Sequence, residues 1–424
     1  MNKVIIIGGG AAGLLAAISA AQRGADVTIL ERMERAGRKL MITGKGRCNI
    51  TNHCTMDEMI AHIPGNGKFL FGAFHRFTNE DMIALLESHG LKTKVERGGR
   101  VFPQSDKASD VVRTLEGILY GLGGKIFFHR RITQLACQEG KVSAVYDTDG
   151  RYYEADAFII AAGGASYPRT GSTGDGYDLA QQAGHTIIAP SPALVPLNCD
   201  LGDMKALQGL SLRNVEASLW DKGKLVGKEF GEMLFTHFGV SGPIILTLSR
   251  EAARYFKAHP QGFLNLSIDL KPALTREQLD ARLQLLEQEG TWLQRDFQKY
   301  SRKGLKAGMH DLLPQALIPF VIEEACLVPE QPVNQLTRKE RLRLVDVLKG
   351  FPLPVTGTRP LEEAIVTSGG VSIKEISPST FASRLYPNLF FAGEVMDVDG
   401  FTGGYNLQAA FSSGYVAGKE AAEL

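Results

Sequence analysis

Val4-Ile5-Ile6-Ile7-Gly8-Gly9-Gly10-Ala11-Ala12-Gly13, followed by Val27-Thr28-Ile29-Leu30-Glu31, is the stretch whose reading decides the fold. Val4–Ile7 is an unbroken apolar β-branched run, the pattern of a parallel strand buried on both faces. Gly8 to Gly13 matches G-x-G-x-x-G. The alanine-rich segment Leu14–Arg23 reads as a helix with Gly24 as its stop, and Val27–Leu30 as a second strand. In this pattern Gly8 permits the tight turn, Gly10 lets backbone approach a pyrophosphate, and Gly13 allows close helix–strand contact. The helix N-terminus offers uncommitted N–H groups to phosphate. Glu31 stands where a carboxylate accepts from ribose hydroxyls, which favours FAD or NAD over NADP. Strand, glycines, helix, strand and acid in register predict an α/β, Rossmann-like nucleotide-binding domain.

Outward from this motif, 424 residues are too many for one ordinary core and predict more than one domain. A net charge of +1 supplies no global field toward nucleic acid or membrane. Cys48, Cys54, Cys137, Cys199 and Cys326 are scattered and odd in number, which predicts reduced thiols rather than a disulfide framework. No Cys/His spacing suits zinc, so no metal site is expected. The apolar run from Val4 to Ala21 is broken by glycines and does not read as a signal peptide. A cytoplasmic protein without a membrane segment is expected.

Arg38 to Asn52 follows, with four basic residues and two glycines in its first ten positions, suited to wrapping a polyanion. Thr78–Gly90 reads as a helix with a Thr78/Asp81 capping box. Lys125–Leu135 and Val142–Tyr146 read as strands. Phe158–Ala162 runs into Gly163-Gly164, and a glycine-rich turn at 170–176 opens a helix at Tyr177–Ala183. Pro190, Pro192 and Pro196 mark a boundary near 192, and Pro352, Pro354 and Pro360 a return near 355. Between them, Val215–Leu219 and Phe263–Ile268 have strand composition, and Thr275–Glu289 reads as a helix. In the tail, the strand Leu389–Ala392 ends in Gly393-Glu394, and a small-residue helix covers Leu407–Ala422. Together with the 38–52 loop and the Gly163 turn, this tail adds a third glycine-rich element able to meet a cofactor.

With these residues assembled, the sequence resembles the BaiN/RdsA-like family of bacterial FAD-dependent oxidoreductases over essentially its whole length. The resemblance is carried by Gly37-Arg38-Lys39 through Asn52, Gly231 through Pro243, Thr367-Ser368-Gly369-Gly370-Val371, and Gly393 through Gln408. It implies a two-dinucleotide-binding-type FAD domain, residues 1–192 with 356–424, interrupted by a substrate domain at 193–355. That insertion is expected to be β-barrel-like over about 193–272 and 320–355, with a small helical part over about 273–319. Expected FAD contacts are Gly8, Gly10, Ala11, Ala12, Gly13, Glu31 and Arg32; Arg38, Lys39, Gly44, Gly46, Arg47 and Cys48; Ile132, Ala162 and Gly163; and Gly393, Glu394, Gly404, Asn406 and Leu407. Members of the family have been assigned amine oxidation, reduction of a double bond in bile-acid metabolism, and dihydrouridine formation in ribosomal RNA.

The expected chemistry is therefore an NAD(P)H-driven reduction of an activated C=C bond, in ribosomal RNA uridine or a small enone. The alternative is a small-molecule amine oxidase using O₂. No second complete G-x-G-x-x-G with its acid is present, so NADH or NADPH would enter the substrate cleft itself. Candidate proton donors are Cys48, His237 and Tyr405. Cys48 lies among Lys45 and Arg47, surroundings that lower a thiol pKa, although it also reads as a small residue packed under the cofactor. Five residues between Cys48 and Cys54, rather than four, argue against a redox disulfide. His237 reads as a proton donor or as a ring satisfied by loop carbonyls, and Tyr405 as a substrate contact or a cover for the flavin. Arg295, Lys299, Arg302, Lys303 and Lys306 form a basic stretch that reads as a solvated helix face or as phosphate contacts for an RNA substrate.

Overall fold

The computed structural model describes residues 1–284 and 304–424, which form two compact units, 1–193 with 360–424, and 194–359. The first unit is built on a five-stranded parallel sheet. Its order is Leu389–Phe391, Ala157–Ile160, Lys3–Ile7, Asp26–Leu30, Lys125–Phe127. The apolar runs explain the placement: Val4–Ile7 and Ala157–Ile160 are buried throughout, as central parallel strands must be. Helix Ala11–Ala21 covers this sheet beside the C-terminal helix Tyr405–Ala422. The first and last segments of the chain therefore share one core. Sequence proximity would have paired neither.

Three smaller sheets complete the unit. Thr51–Asn52, Arg100–Pro103 and Thr93–Glu96 form one; Ile132–Gln138, Lys141–Asp147 and Tyr152–Glu154 another; Ile187–Ala193 and Val366–Val371 the third. The single strand expected at Lys125–Leu135 is corrected here. It breaks between Phe127 and Ile132, where His129 takes a left-handed conformation, and its halves join different sheets. Helix Ala108–Gly121 was not anticipated from the sequence, although Val111, Leu115, Ile118 and Leu119 bury one face of it.

The second unit holds a closed six-stranded barrel of order Leu197–Cys199, Gly239–Ser241, Lys224–Phe235, Ser211–Asp221, Leu264–Asp269, Phe351–Thr358. All its pairings are antiparallel. Val215, Ala217 and Leu219 alternate inward against Leu264, Leu266 and Ile268, so the barrel is filled by side chains. Helix Pro243–Ala258 packs on it with proline at the first turn, where a missing N–H costs nothing. The β-rich character expected for 320–355 is corrected: Ile318–Glu324 and Arg338–Lys349 are helices, and only Phe351–Thr358 is strand. The second helix has its own signal, a Thr337/Glu340 capping box ahead of the buried stripe Leu344, Val345, Leu348. The helix expected to reach Glu289 is described as Arg276–Leu283. Arg295, Lys299, Arg302 and Lys303 of the expected basic stretch lie outside the described residues, and Lys306 is exposed on the short helix Leu305–Gly308. No helix among the described residues is long and apolar enough to cross a membrane.

Candidate functional site

The opening motif folds into a cradle. Gly8 has φ of 104°, a conformation open to glycine, and a Cβ there would sit 2.6 Å from the Ala161 carbonyl oxygen. A Cβ on Gly13 would collide with the Gly8 carbonyl oxygen, so the helix can lie against the strand only because this residue is glycine. Gly10 differs from both: its backbone is extended, and a Cβ there would meet nothing within 4 Å. That open space faces the N-terminus of helix Ala11–Ala21, whose N-cap Gly10 has no side chain to cap the first-turn amides. These residues fit a pyrophosphate, with Ala11, Ala12 and Gly13 supplying N–H groups and the helix dipole favouring negative charge.

Glu31 is buried and accepts hydrogen bonds from the Gly9 N–H at 2.7 Å and the Met33 N–H at 2.8 Å. Burial pushes its carboxyl up, opposed by the Met33 and Gly9 hydrogen bonds and the Arg32 charge. Each oxygen keeps a lone pair that a ribose hydroxyl could use. Arg32 pairs with Asp175 at 2.9 Å and also meets Thr173. Arg131 binds the same carboxylate through two hydrogen bonds, at 2.9 and 3.0 Å. Burial alone would raise Asp175, but the hydrogen bonds from Arg131 and Thr173 and the Arg32 charge hold it below the usual carboxylate range. The turn at 170–176, whose helix begins at Asp175, thus directs its carboxylate to arginines and not to a ligand.

The basic segment after Gly37 is partly helical, Arg38–Ile42, before a strained turn. Gly44, Lys45, Gly46 and Cys48 have φ of 57°, 60°, 85° and 62°, and two of these are non-glycine residues in the left-handed region. Lys39 Nζ lies 2.6 Å from Glu394 and 2.8 Å from Ser166 Oγ. The other Glu394 oxygen accepts from the Thr367 N–H at 2.8 Å and from Ser166 at 3.2 Å. This network ties the 38–42 helix, the Gly163 turn and the Gly393 turn together. Ser166 and Thr367 escaped the reading of the sequence as site residues, although Thr367 opens one of the motifs carrying the family resemblance.

The other expected site residues have the following surroundings. Arg38 pairs with Glu34 at 2.8 Å. Arg47 pairs with Glu96 at 2.8 Å and lies 4.1 Å above the Phe102 ring, facing the Thr93–Pro103 hairpin. Asn406 spends its amide on Gly400 and Phe401, shaping the loop that leads to Gly404, the left-handed N-cap of the last helix. Gly163 and Gly393 both take positive φ, and a Cβ on Gly393 would approach the Ala12 methyl to 2.8 Å. Ile132 is buried, and Ala162 and Leu407 are half-buried against the same core.

The three catalytic candidates differ sharply. Cys48 has no exposed surface, and burial pushes its thiol up to about 12 against a small opposing hydrogen bond with Thr43. The expectation that Lys45 and Arg47 lower this thiol is therefore corrected, because Lys45 is exposed and Arg47 turns to Glu96. All five cysteines are free thiols. At pH 8 a thiol of pKa about 12 is ionised in only about one molecule in ten thousand. Iodoacetamide at pH 8 should accordingly label exposed Cys137 and Cys326 and spare Cys48, as read by peptide mass spectrometry; fast labelling of Cys48 in folded protein would show that burial does not control it. Tyr405 is buried with its ring stacked on His62 at 4.4 Å, and burial, with Cys54 and Glu58 adding to it, pushes the phenol up to about 12. His237 lies in the second unit with an exposed side chain, its ring edge-to-face with Phe238 at 4.9 Å. Among the described residues no three His, Cys, Asp or Glu side chains are placed to hold a metal.

The family profile described as the HI0933-like protein Rossmann domain matches residues 2–420. The chain is 33% identical over 432 residues to a 3-dehydro-bile acid delta(4,6)-reductase of Clostridium scindens, covering 100% of both chains. It is 32% identical to a ribosomal RNA dihydrouridine synthase of Haemophilus influenzae, covering 98% of this chain and 97% of that one. Among solved structures, 3-ketosteroid delta1-dehydrogenase from Sterolibacterium denitrificans superimposes with a TM-score of 0.52 at 13% identity over 100% of both chains, a likeness of fold. Cradle, buried acid and full-length similarity lead to one assignment: the chain belongs to the HI0933-like family of FAD-dependent oxidoreductases.

Proposed function

We propose that this protein reduces a carbon–carbon double bond conjugated to a carbonyl, with NADH or NADPH as donor and uridine in ribosomal RNA as the leading acceptor. A small enone is the second reading, favoured by the bile-acid relative. The observation that carries the proposal is full-length similarity to two relatives whose names both describe hydrogenation of such a bond, on a chain whose cofactor cradle is intact. In uracil the C5=C6 bond is conjugated to the C4 carbonyl, so hydride goes to C6 and a proton to C5. FAD, when bound, supplies the hydride chemistry. Gly10–Gly13 would hold its pyrophosphate and Glu31 its ribose, with the turns braced through Lys39, Glu394, Ser166 and Thr367. Of the three candidate acids Cys48 and Tyr405 are buried, and His237 alone has an exposed side chain, which leaves it as the candidate that the variant below tests. With one dinucleotide motif in the sequence, a nicotinamide donor would have to enter the same cleft as the acceptor, which makes the order ping-pong.

Stopped-flow mixing of holoenzyme with NADH or NADPH should bleach the flavin, and uridine-containing ribosomal RNA or a conjugated enone should restore its colour anaerobically. His237→Gln should slow the second half-reaction at least tenfold and leave the first unchanged. No bleaching by either nicotinamide removes the reductase reading. Rapid reoxidation by O₂ with peroxide formation, and none by RNA or enone, returns the amine-oxidase alternative.

A further inference from the structure

The whole chain carries a net charge of +1, yet its positive charge is unevenly placed. Residues 45–47 and 92–107 hold seven basic side chains against two carboxylates, a local net of +5, which leaves the remainder of the chain at −4. These two segments meet in space at the hairpin formed by Thr93–Glu96 and Arg100–Pro103. Both carboxylates are consumed: Glu96 binds Arg47, and Asp106 binds Lys94 at 2.6 Å and Arg47 at 3.3 Å. Lys45, Lys92, Arg97, Arg100 and Lys107 remain, all exposed and none in an ion pair among the described residues.

Two features distinguish this surface from an ordinary solvated face. First, it is ordered in advance. The register pairs Lys94 with Phe102 and Glu96 with Arg100, so these four side chains share one face of the hairpin. The Arg100 guanidinium carbon lies 5.9 Å from the Phe102 ring centroid, and its Nε donates to the Arg97 carbonyl at 3.1 Å. A guanidinium held in this way loses less freedom on meeting a phosphate than a free side chain does. Second, the hairpin is fastened to the cofactor segment. Asn52 Nδ2 donates to the Gly98 carbonyl and to the Gly403 carbonyl, each at 3.0 Å, and the His53 N–H donates to Gly99. Gly98 and Gly99 at the tip both take left-handed φ, of 78° and 71°, and so present Arg97 and Arg100 on either side of the turn.

We propose that the Thr93–Pro103 hairpin, with Lys45 at its side, is an RNA-docking surface that grips the phosphate backbone of the substrate strand next to the reaction site. This rests on the reading of uridine in RNA as the acceptor. Phosphate contacts of this type carry affinity and register, while the base is selected elsewhere. They also make binding fall steeply with salt.

Arg97→Glu/Arg100→Glu holoenzyme tests the surface, with Lys92→Glu/Lys107→Glu as a second variant at its far side. Fluorescence anisotropy with a fluorescein-labelled, uridine-rich 20-nucleotide RNA stem-loop should show Kd rising at least tenfold at 100 mM KCl. The slope of log K against log salt should become shallower by about 2, one unit for each lost phosphate contact. Flavin content and the rate of flavin reduction by NAD(P)H should match wild type, which separates lost docking from lost folding. Unchanged RNA affinity and salt slope in both variants, with wild type binding RNA, overturns the surface alone. If wild-type holoenzyme neither binds the RNA nor forms dihydrouridine in it while still reducing an enone, the RNA reading fails and the surface falls with it.

Discussion

Gly10→Val is expected to leave the apoprotein within about 1 kcal/mol of wild-type stability while weakening FAD binding about 10- to 100-fold. The two effects separate because of where this glycine sits. Its φ of −80° and ψ of −166° are ordinary for valine, and nothing lies within 4 Å of the position a Cβ would take. The protein itself therefore has no objection to a side chain there. A pyrophosphate lying along the helix N-terminus does, since valine methyls would occupy its approach. Overpacking of this kind costs roughly 1–3 kcal/mol. Gly13→Val supplies the contrast: its Cβ collides with the Gly8 carbonyl oxygen whether or not a ligand is present, so the apoprotein itself should lose stability. Urea titration of the two apoproteins and quenching of FAD fluorescence on titration would measure both quantities. A Gly10→Val protein that holds FAD as tightly as wild type would place the dinucleotide somewhere other than along this helix.

The second large effect is expected at the crossing of the first and last helices. A Cβ on Gly414 would collide with the Ala12 carbonyl oxygen, and one on Gly418 with that of Ala16. Both obstacles are backbone, which cannot swing aside as a side-chain tip can. In an unhindered helix, glycine to alanine stabilises by about 1 kcal/mol. Gly117→Ala should show this, because Gly117 is exposed in helix Ala108–Gly121 and a Cβ there meets nothing. Gly414→Ala/Gly418→Ala should have the opposite sign, a net loss of about 2 kcal/mol or more despite the gain in propensity. The damage should also reach the cofactor cradle, since Ala12 lies in the first turn of its helix and Gly393 sits against the Ala12 methyl. Comparison of urea midpoints for the three proteins decides the matter; stabilisation of the double variant would mean the helices do not approach this closely.

The extent to which the site was legible follows from the range of the interactions that build it. The fingerprint was readable because each of its parts is local: an apolar run for the strand, glycines at fixed offsets, an alanine-rich helix, an acid at the end of the next strand. The capping boxes at Thr78, Thr275 and Thr337 are equally local, and each is formed. The third shows that the helix at Arg338–Lys349 could have been found from its own residues. The break within Lys125–Leu135 could not, because both halves have strand composition and only their pairing partners differ.

Side-chain roles were the least legible, since they depend on neighbours distant in the chain. Arg47 is one of four basic residues in a glycine-rich loop, which in sequence points to a polyanion; Glu96 and Phe102, contributed by the hairpin, turn it away. Cys48 has basic neighbours in sequence and a dry core in space, and desolvation outweighs charges that point elsewhere. Lys39 meets Glu394 across 355 residues of chain. From the residues alone came the expectation of a dinucleotide site at the N-terminus and of a tail returning to the same domain, because strand, turn and helix signals act within a few residues. Tertiary structure alone decided which charges are spent on one another and which remain for a ligand, because burial and ion pairing are properties of the neighbours that folding supplies.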